Sequence, residues 1–487
     1  MQIKNEIQDP SVIAWVTVNL TEQEARVGCR KEIFAEGMLM PVYVEFQPGT
    51  RDGQRSFLRD IPFMAENGLA ENGALGLCIQ VPQKKKKIWL PILAGILAVV
   101  IQIGAIAGLV GWAMAKYGQM DQGPADDHLY YQGEKLDPAS VFPHYALRYY
   151  LSQLDPLKQQ AACILYKAVM EFQPECAMPK GLHKDDFVEL VMILKSECPE
   201  MIQLDLVNDM MYHYNAESGN VYSASFTYRV SKETYGEMRQ AVGLKANSLR
   251  IQTERMEDRE KEEYIFRMLA SKITYDTEAE NVDNAYGALI GGKAKCDGIA
   301  HALKWCLEEA GIQTLCILGD ARQEGEVGHA WNMVYMDGMF RNVDLTASVN
   351  YADSTAQYQK ATLYLYFNVA DHWFEEKFTV IEALDHWIPK PVCDTDDGSY
   401  QAYKQQSIRR DEDLEKQFKE FLYKSYSSRQ GISIQLDTDD MHSELRNKLR
   451  SYYLEALNEY DMRRAIRVDY VFLERNVVWI QVIVSGV

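Results

Sequence analysis

The longest apolar stretch of the chain covers residues 88–115, where no charged residue occurs between Lys87 and Lys116. Roughly 20 apolar residues cross a bilayer, so this pattern predicts a single transmembrane helix with length to spare for tilt. Trp89 and Trp112 stand near its two ends, where indole rings favour the membrane interface. Ahead of it, apolar and polar positions alternate at 14–20 and 42–46, the period of half-buried strands, and predict a small β-domain over residues 1–83. Behind it a polar stretch rich in Gly, Pro and Asp predicts a linker over 116–140. Helical spacing then returns in LDPLKQQAACILYKAVMEF and HKDDFVELVMILKSE, with Asp155-Pro156 and Asp185-Asp186 as expected helix starts, and SGNVYSASFTYRV has the composition of a strand. These elements predict an extension over 141–255 whose residues suggest scaffold and no chemistry.

The next segment, 256–390, is the most informative. Gly291-Gly292-Lys293 signals a turn, after which Cys296, Ile299, Ala300, Leu303, Leu307 and Ala310 recur at helical spacing until Gly311. Cys296 thus falls in the first turn of a helix, on its apolar stripe. Further on, Asp337-Gly338 between two β-prone runs predicts a two-residue hairpin turn that pairs Met336 with Met339 and Tyr335 with Phe340. Counting outward sets Trp331 opposite Asp344 and His329 opposite Thr346. His329, Trp331 and Asp344 then share one face, with Asp344 the diagonal neighbour of His329 at about 7–8 Å. The acidic run DTDDG at 394–398 resembles the start of a calcium loop, but Gln405 stands where a bidentate Glu is needed, so a linker is expected there. Residues 405–487 alternate helix, strand, helix and a two-strand hairpin, as a small α/β domain would.

Composition is ordinary for a globular protein, and the net charge of −19 argues against nucleic acid as a partner. Residues 1–87 hold 11 basic and 11 acidic residues, so all the net charge lies beyond the apolar run. The lysine run at 84–87, set against only Lys116 before the acidic DQGPADD, orients the N-terminus to the cytoplasm and the remainder outside. Gly104 and Gly108 form a GxxxG pair that offers a weak dimerisation surface. Seven of the nine cysteines lie beyond the run, and no CxxC pair points to zinc; no cofactor or metal is expected.

Chemistry converges on Cys296, His329 and Asp344. A helix N-terminus favours the reactive thiolate form of cysteine, and Lys293 and Lys295 add positive charge nearby. A base oriented by a third group and presented to such a thiol is the arrangement of an activated nucleophile. Cys306, Cys316 and Cys163 are expected as small buried hydrophobes, and His372 and His386 as structural.

Through NAYGALIGGKAKCDGIAHALKWCLEEAGI, GHAW and the hairpin ending in NVDLT, the stretch resembles the transglutaminase-like core, a papain-related superfamily, with EYIFRMLASKITYD in the place of its preceding helix. The resemblance implies an α+β fold with Cys296 as nucleophile, His329 as general base and later acid, and Asp344 as orienting group. Residues 1–83 resemble the C-terminal β-domain of Hsp40-type co-chaperones through LTEQEARVGCRKEI, PGTRDGQR and GLCIQV, although the usual Gly-Asp-Leu is Gly76-Leu77-Cys78. Peptide binding or an assembly role is what that likeness implies.

Two functions follow. One is a membrane-anchored enzyme that forms a thioester with protein or peptide substrates and passes the acyl group to an amine or to water. The other is an idle outer binding module coupled through the membrane to the cytoplasmic β-domain. Protease shaving of intact cells checks the topology: the segment after the apolar run is expected to be cut, and its protection would reverse the orientation.

Overall fold

The computed structural model describes residues 12–20, 26, 29–33, 42–46, 55–64, 70–80, 118–121, 129–323, 327–349 and 356–485. The apolar run at 88–115, with Gly104 and Gly108, lies outside the described residues, and among these no helix is long and apolar enough to cross a membrane. The chain divides into two compact units, Met1–Leu97 with Arg464–Val468 and Ile483–Val487, and Ala98–Arg463 with Asp469–Val482.

The first unit is built of β1 (Val12–Asn19), β2 (Cys29–Ile33), β3 (Val42–Phe46), β4 (Arg55–Met64) and β5 (Ala70–Gln80). β5 lies between β1, to which it is parallel, and β4, to which it is antiparallel; β2 and β3 form a separate antiparallel pair. Val18, Leu20, Leu77 and Ile79 are buried, two residues apart in each case, which is the strand period expected of an inward face.

The second unit opens with β6 (Gly118–Asp121), parallel to β8 (Met210–Asn215) at the edge of a four-stranded sheet of order β6-β8-β9-β7, where β7 is Glu175–Ala177 and β9 Val221–Phe226. The expected linker over 116–140 therefore contains a strand. Its Gly-Gln-Met-Asp sequence carries no apolar alternation, and the strand exists because β8 supplies its hydrogen bonds. Beside this sheet lie α1 (Pro156–Met170) and α2 (Lys184–Glu197). Asp155 caps α1 by accepting from the N–H groups of Leu157 and Lys158, with Pro156 in the first turn. In α2 the cap is His183, and Asp185 and Asp186 lie in its first turn, against the positive helix end.

Next come α3 (Lys232–Thr253) and α4 (Asp258–Ala270), the latter closed at its start by a Glu257/Glu260 capping box. The helix expected over EYIFRMLASKITYD stops at Ala270; Thr274–Tyr275 instead forms β10, parallel to β11 (Lys293–Ala294). Then α5 (Cys296–Glu309) packs on β12 (Thr314–Ala321) and β13 (His329–Met336) of a five-stranded antiparallel sheet. β14 (Met339–Val343), β15 (Phe367–Val369) and β16 (Phe378–Val380) complete it in the order β15-β14-β13-β12-β16. Met336 faces Met339 and Tyr335 faces Phe340, and Asp337 and Gly338 both have positive φ, at 52° and 85°, as a type I′ turn requires. The last elements are β17 (Ser407–Ile408), α6 (Leu414–Ser428), β18 (Ile432–Leu436), α7 (Asp439–Glu459), β19 (Ala465–Phe472) and β20 (Val477–Val484), in a sheet of order β17-β18-β20-β19.

The DTDDG segment is not a linker. Asp396 accepts from the Ala370 N–H and the Trp373 indole, both at 2.7 Å, and Asp397 pairs with Arg341 at 2.6 Å, so its acidic side chains strap it to the core.

Helix α5 departs from its expected one-sided burial. Besides the apolar stripe, Asp297, His301, Lys304 and Glu308 on the opposite face are buried too, because residues of the 141–255 extension cover them. His301 Nε2 meets the Lys195 carbonyl at 2.9 Å. Lys304 Nζ donates to Glu308 at 2.7 Å and lies 4.0 Å from Glu197, while Arg148 reaches Glu200 and Glu308, each at 3.2 Å. Two cations thus face three carboxylates away from water, where an unneutralised charge is expensive. Burial pushes the Glu197 carboxyl up to about 7, with Lys304 and Arg148 pulling it back and Glu308 pushing it further. Because the folded state keeps a proton that the unfolded chain releases from its ordinary 4.5 upward, stability falls as pH rises through that interval. Glu197→Gln is expected to flatten this slope and to raise the denaturation midpoint in mildly alkaline buffer; parallel pH profiles in urea unfolding would contradict the assignment.

Candidate active site

Backbone contacts set the start of α5. The Lys295 N–H donates to the Val282 carbonyl at 2.9 Å, and a Cβ at Gly298 would meet that same carbonyl oxygen at 2.3 Å, so only glycine lets the 281–284 loop lie against the first turn. Lys295, in extended conformation, is the N-cap and provides no side-chain acceptor for the first-turn N–H groups. Cys296 is the first helical residue, half-buried and free of any disulfide.

His329 opens β13, and Asp344 follows the last residue of β14. Their rings and oxygens meet as the register predicts: His329 Nε2 lies 2.8 Å from Asp344 Oδ2. The ladder pairs Asn332 with Val343, one step short of Trp331 and Asp344. The strand stops there, and Thr346, expected opposite His329, enters a 3₁₀ turn at Thr346–Ser348. That turn suits Asp344, whose Oδ1 accepts from the Ala347 N–H at 3.3 Å while its own N–H donates to the Tyr366 carbonyl at 2.8 Å. The Cys296 side chain is near enough to the imidazole to favour its protonated form. With Nε2 engaged by Asp344, the nitrogen that remains for the sulfur is Nδ1. The three residues singled out in the sequence are therefore brought together in the order Cys296, His329, Asp344.

Aromatic groups confine the ring. Trp331 stacks beside it at 6.1 Å and Phe378 of β16 at 5.1 Å, and the Trp331 indole is fixed by Asn342 Oδ1 at 2.9 Å. Asn342 in turn donates to Asp371 at 2.8 Å. Trp331 was expected on this face, whereas Asn342 and Phe378 carry no local signal: they matter only because the sheet sets them around His329. Tyr275 is a further neighbour that sequence reasoning placed in a helix. Its pairing with Ala294 brings the phenol near Cys296, and burial together with the Cys296 and Asp297 side chains pushes it up to about 12, so it stays protonated.

Electrostatics depart from expectation at the lysines. Lys293 pairs with Asp276 at 2.9 Å and Lys295 with Asp297 at 3.5 Å, so their charge is shared with carboxylates. The cation that faces the sulfur is His329 itself. Burial disfavours the imidazolium, but the Asp344 carboxylate, reinforced by the Cys296 side chain, outweighs it and raises the ring to about 10. His372 begins the short helix His372–Glu375, and His386 pairs with Glu189 at 2.9 Å, both away from the triad's hydrogen bonds. Cys163, Cys306 and Cys316 are buried thiols that burial pushes up, to about 11, 12 and 12.

Residues 246–345 match the family model Transglut_core, the transglutaminase-like superfamily. The chain thus carries a transglutaminase-like core, and the match takes in Cys296, His329 and Asp344. No curated protein matches the chain. Among solved structures it is similar to a TGase, with 16% identity over 40% of this chain and 50% of that one at a TM-score of 0.21. It is similar to a putative protease from Parabacteroides distasonis, with 12% identity over 26% of this chain and 28% of that one at a TM-score of 0.18. A third similarity is to menin, in a structure revealing the binding site for Mixed Lineage Leukemia protein, with 13% identity over 39% and 35% at a TM-score of 0.18. The chain spans half or less of each of these structures.

Asp344→Asn removes the charge that holds the imidazolium. The His329 transition is expected to move down from about 10 toward or below its ordinary 6.5, followed by ring-proton NMR across pH. The same change removes the stabilisation that the native pair contributes fully below 6.5 and loses as pH rises through about 10.

Proposed function

We propose that this protein is a thiol acyltransferase or hydrolase of transglutaminase-like type, acting on carboxamide or peptide carbonyls of protein or peptide substrates. The observation that supports this most is the 2.8 Å bond between His329 and Asp344, on a ring whose other side meets Cys296 at a helix start. Cys296 Sγ attacks the carbonyl carbon, and the oxygen takes up negative charge at the first-turn N–H groups, with the Cys296 N–H the nearest donor by sequence. His329 gives its proton to the departing ammonia or amine as the carbon–nitrogen bond breaks, leaving a thioester and a neutral imidazole. An amine or water then attacks the thioester carbonyl, His329 takes the incoming proton, and the sulfur leaves to restore the pair. Transfer to an amine crosslinks; transfer to water deamidates or cleaves.

The uncharged run at 88–115 and the lysine run before it support a single-pass anchor with this core on the outer side. Such an arrangement would confine the reaction to substrates at the cell surface.

Iodoacetamide near neutral pH is expected to label Cys296 faster than any other thiol, because it stands half-buried at a helix start beside a candidate base. Incubation of a glutamine-containing peptide with a dansylated primary amine is expected to yield the conjugate or, with amine omitted, the glutamate peptide, and Cys296→Ala to abolish both. Slow labelling of Cys296, with peptide bound but unchanged, would favour an idle binding module.

A further inference from the structure

The hairpin between β19 and β20 turns through Arg475 and Asn476, both at positive φ, 60° and 54°. Its tip does not point to solvent. The Arg475 side chain is fully enclosed, lies over the Trp373 indole at 4.9 Å and near the Tyr366 ring at 5.6 Å, and faces Asp396 at 3.5 Å. It donates to the Leu365 carbonyl. The adjacent Glu474 pairs with Lys377 at 2.9 Å, next to Phe378. None of these partners belongs to the C-terminal domain's own elements: all lie in 365–396.

Each of them leads back to the triad by a short physical route. Tyr366, adjacent to Leu365, is the residue whose carbonyl takes the Asp344 N–H. Asp396 binds the Ala370 N–H, one residue beyond β15, and Val369 of β15 pairs with Asn342 beside Trp331. Lys377 precedes Phe378, which packs on the His329 ring. A guanidinium is suited to this place because its planar face stacks on aromatic rings while its edge donates.

We infer that Arg475 is a positioning residue for Asp344, and that the C-terminal α/β domain acts as a clamp holding the 365–378 segment against the triad. This rests on the reading of the triad given above. An enclosed arginine at a hairpin tip would otherwise be an unneeded expense for a small domain whose own core is formed by α6, α7 and their sheet.

The test uses the full chain and iodoacetamide as probe, with the Cys296 alkylation rate followed from about pH 5 to about pH 11. In Arg475→Ala the His329 transition is expected to shift down, and the rate near neutral pH to fall on the order of 10- to 100-fold, as displacement of an orienting group does. Arg475→Lys, which keeps charge without the planar stack, is expected to fall between, and carries the test if the alanine variant does not fold. A role confined to stability would lower the melting temperature and leave the alkylation profile of the folded protein unchanged; that result overturns the inference. Cys296 in the unmodified protein reacting no faster than the buried thiols would instead defeat the acyl-transfer reading on which it rests.

Discussion

Helix α5 is enclosed on both faces, and the rest of the second unit is arranged around that constraint. Its apolar stripe lies on the five-stranded sheet, while Asp297, His301, Lys304 and Glu308 are covered by the extension. A helix with a polar face can be buried only if every charge on that face meets a partner. From the extension, Arg148 meets Glu308, Glu197 faces Lys304 and the Lys195 carbonyl takes His301, while Lys295 pairs with Asp297. The extension thus packs as part of the core and covers the helix that carries Cys296.

At the other end of the site a different device operates. The sheet presents His329 and Asp344 through a strand register pinned by a tight I′ turn, and aromatic rings from β13 and β16 hold the imidazole in plane. The local field is governed by one carboxylate enclosed near the ring. The lysines flanking Cys296, which look influential in sequence, are each tied to an aspartate. A cation matters to a thiol through distance and desolvation, and the imidazolium has both.

The C-terminal domain contributes an arginine at its hairpin tip to the segment behind Asp344. The extension thus backs α5, and the C-terminal hairpin backs the 365–396 segment, of the core that carries Cys296, His329 and Asp344. The match to the transglutaminase-like superfamily covers only 246–345, which includes the triad and leaves out both flanking supports.

Much of the site was legible in the sequence because its determinants are local. The glycine turn before Cys296 and the helical spacing after it located that cysteine at a helix start, and Asp337-Gly338 fixed a pairing from which the shared face of His329 and Asp344 follows by counting. What the sequence could not supply depends on partners far along the chain. The polar face of α5 has the pattern of a solvated surface, the Gly118–Asp121 strand has no pattern at all, and DTDDG has the composition of a loop. Arg475 has no periodic context that marks it. In each case the deciding interaction is a hydrogen bond or ion pair made across dozens of residues, and only the tertiary fold determines which groups are near enough, and dry enough, to make it.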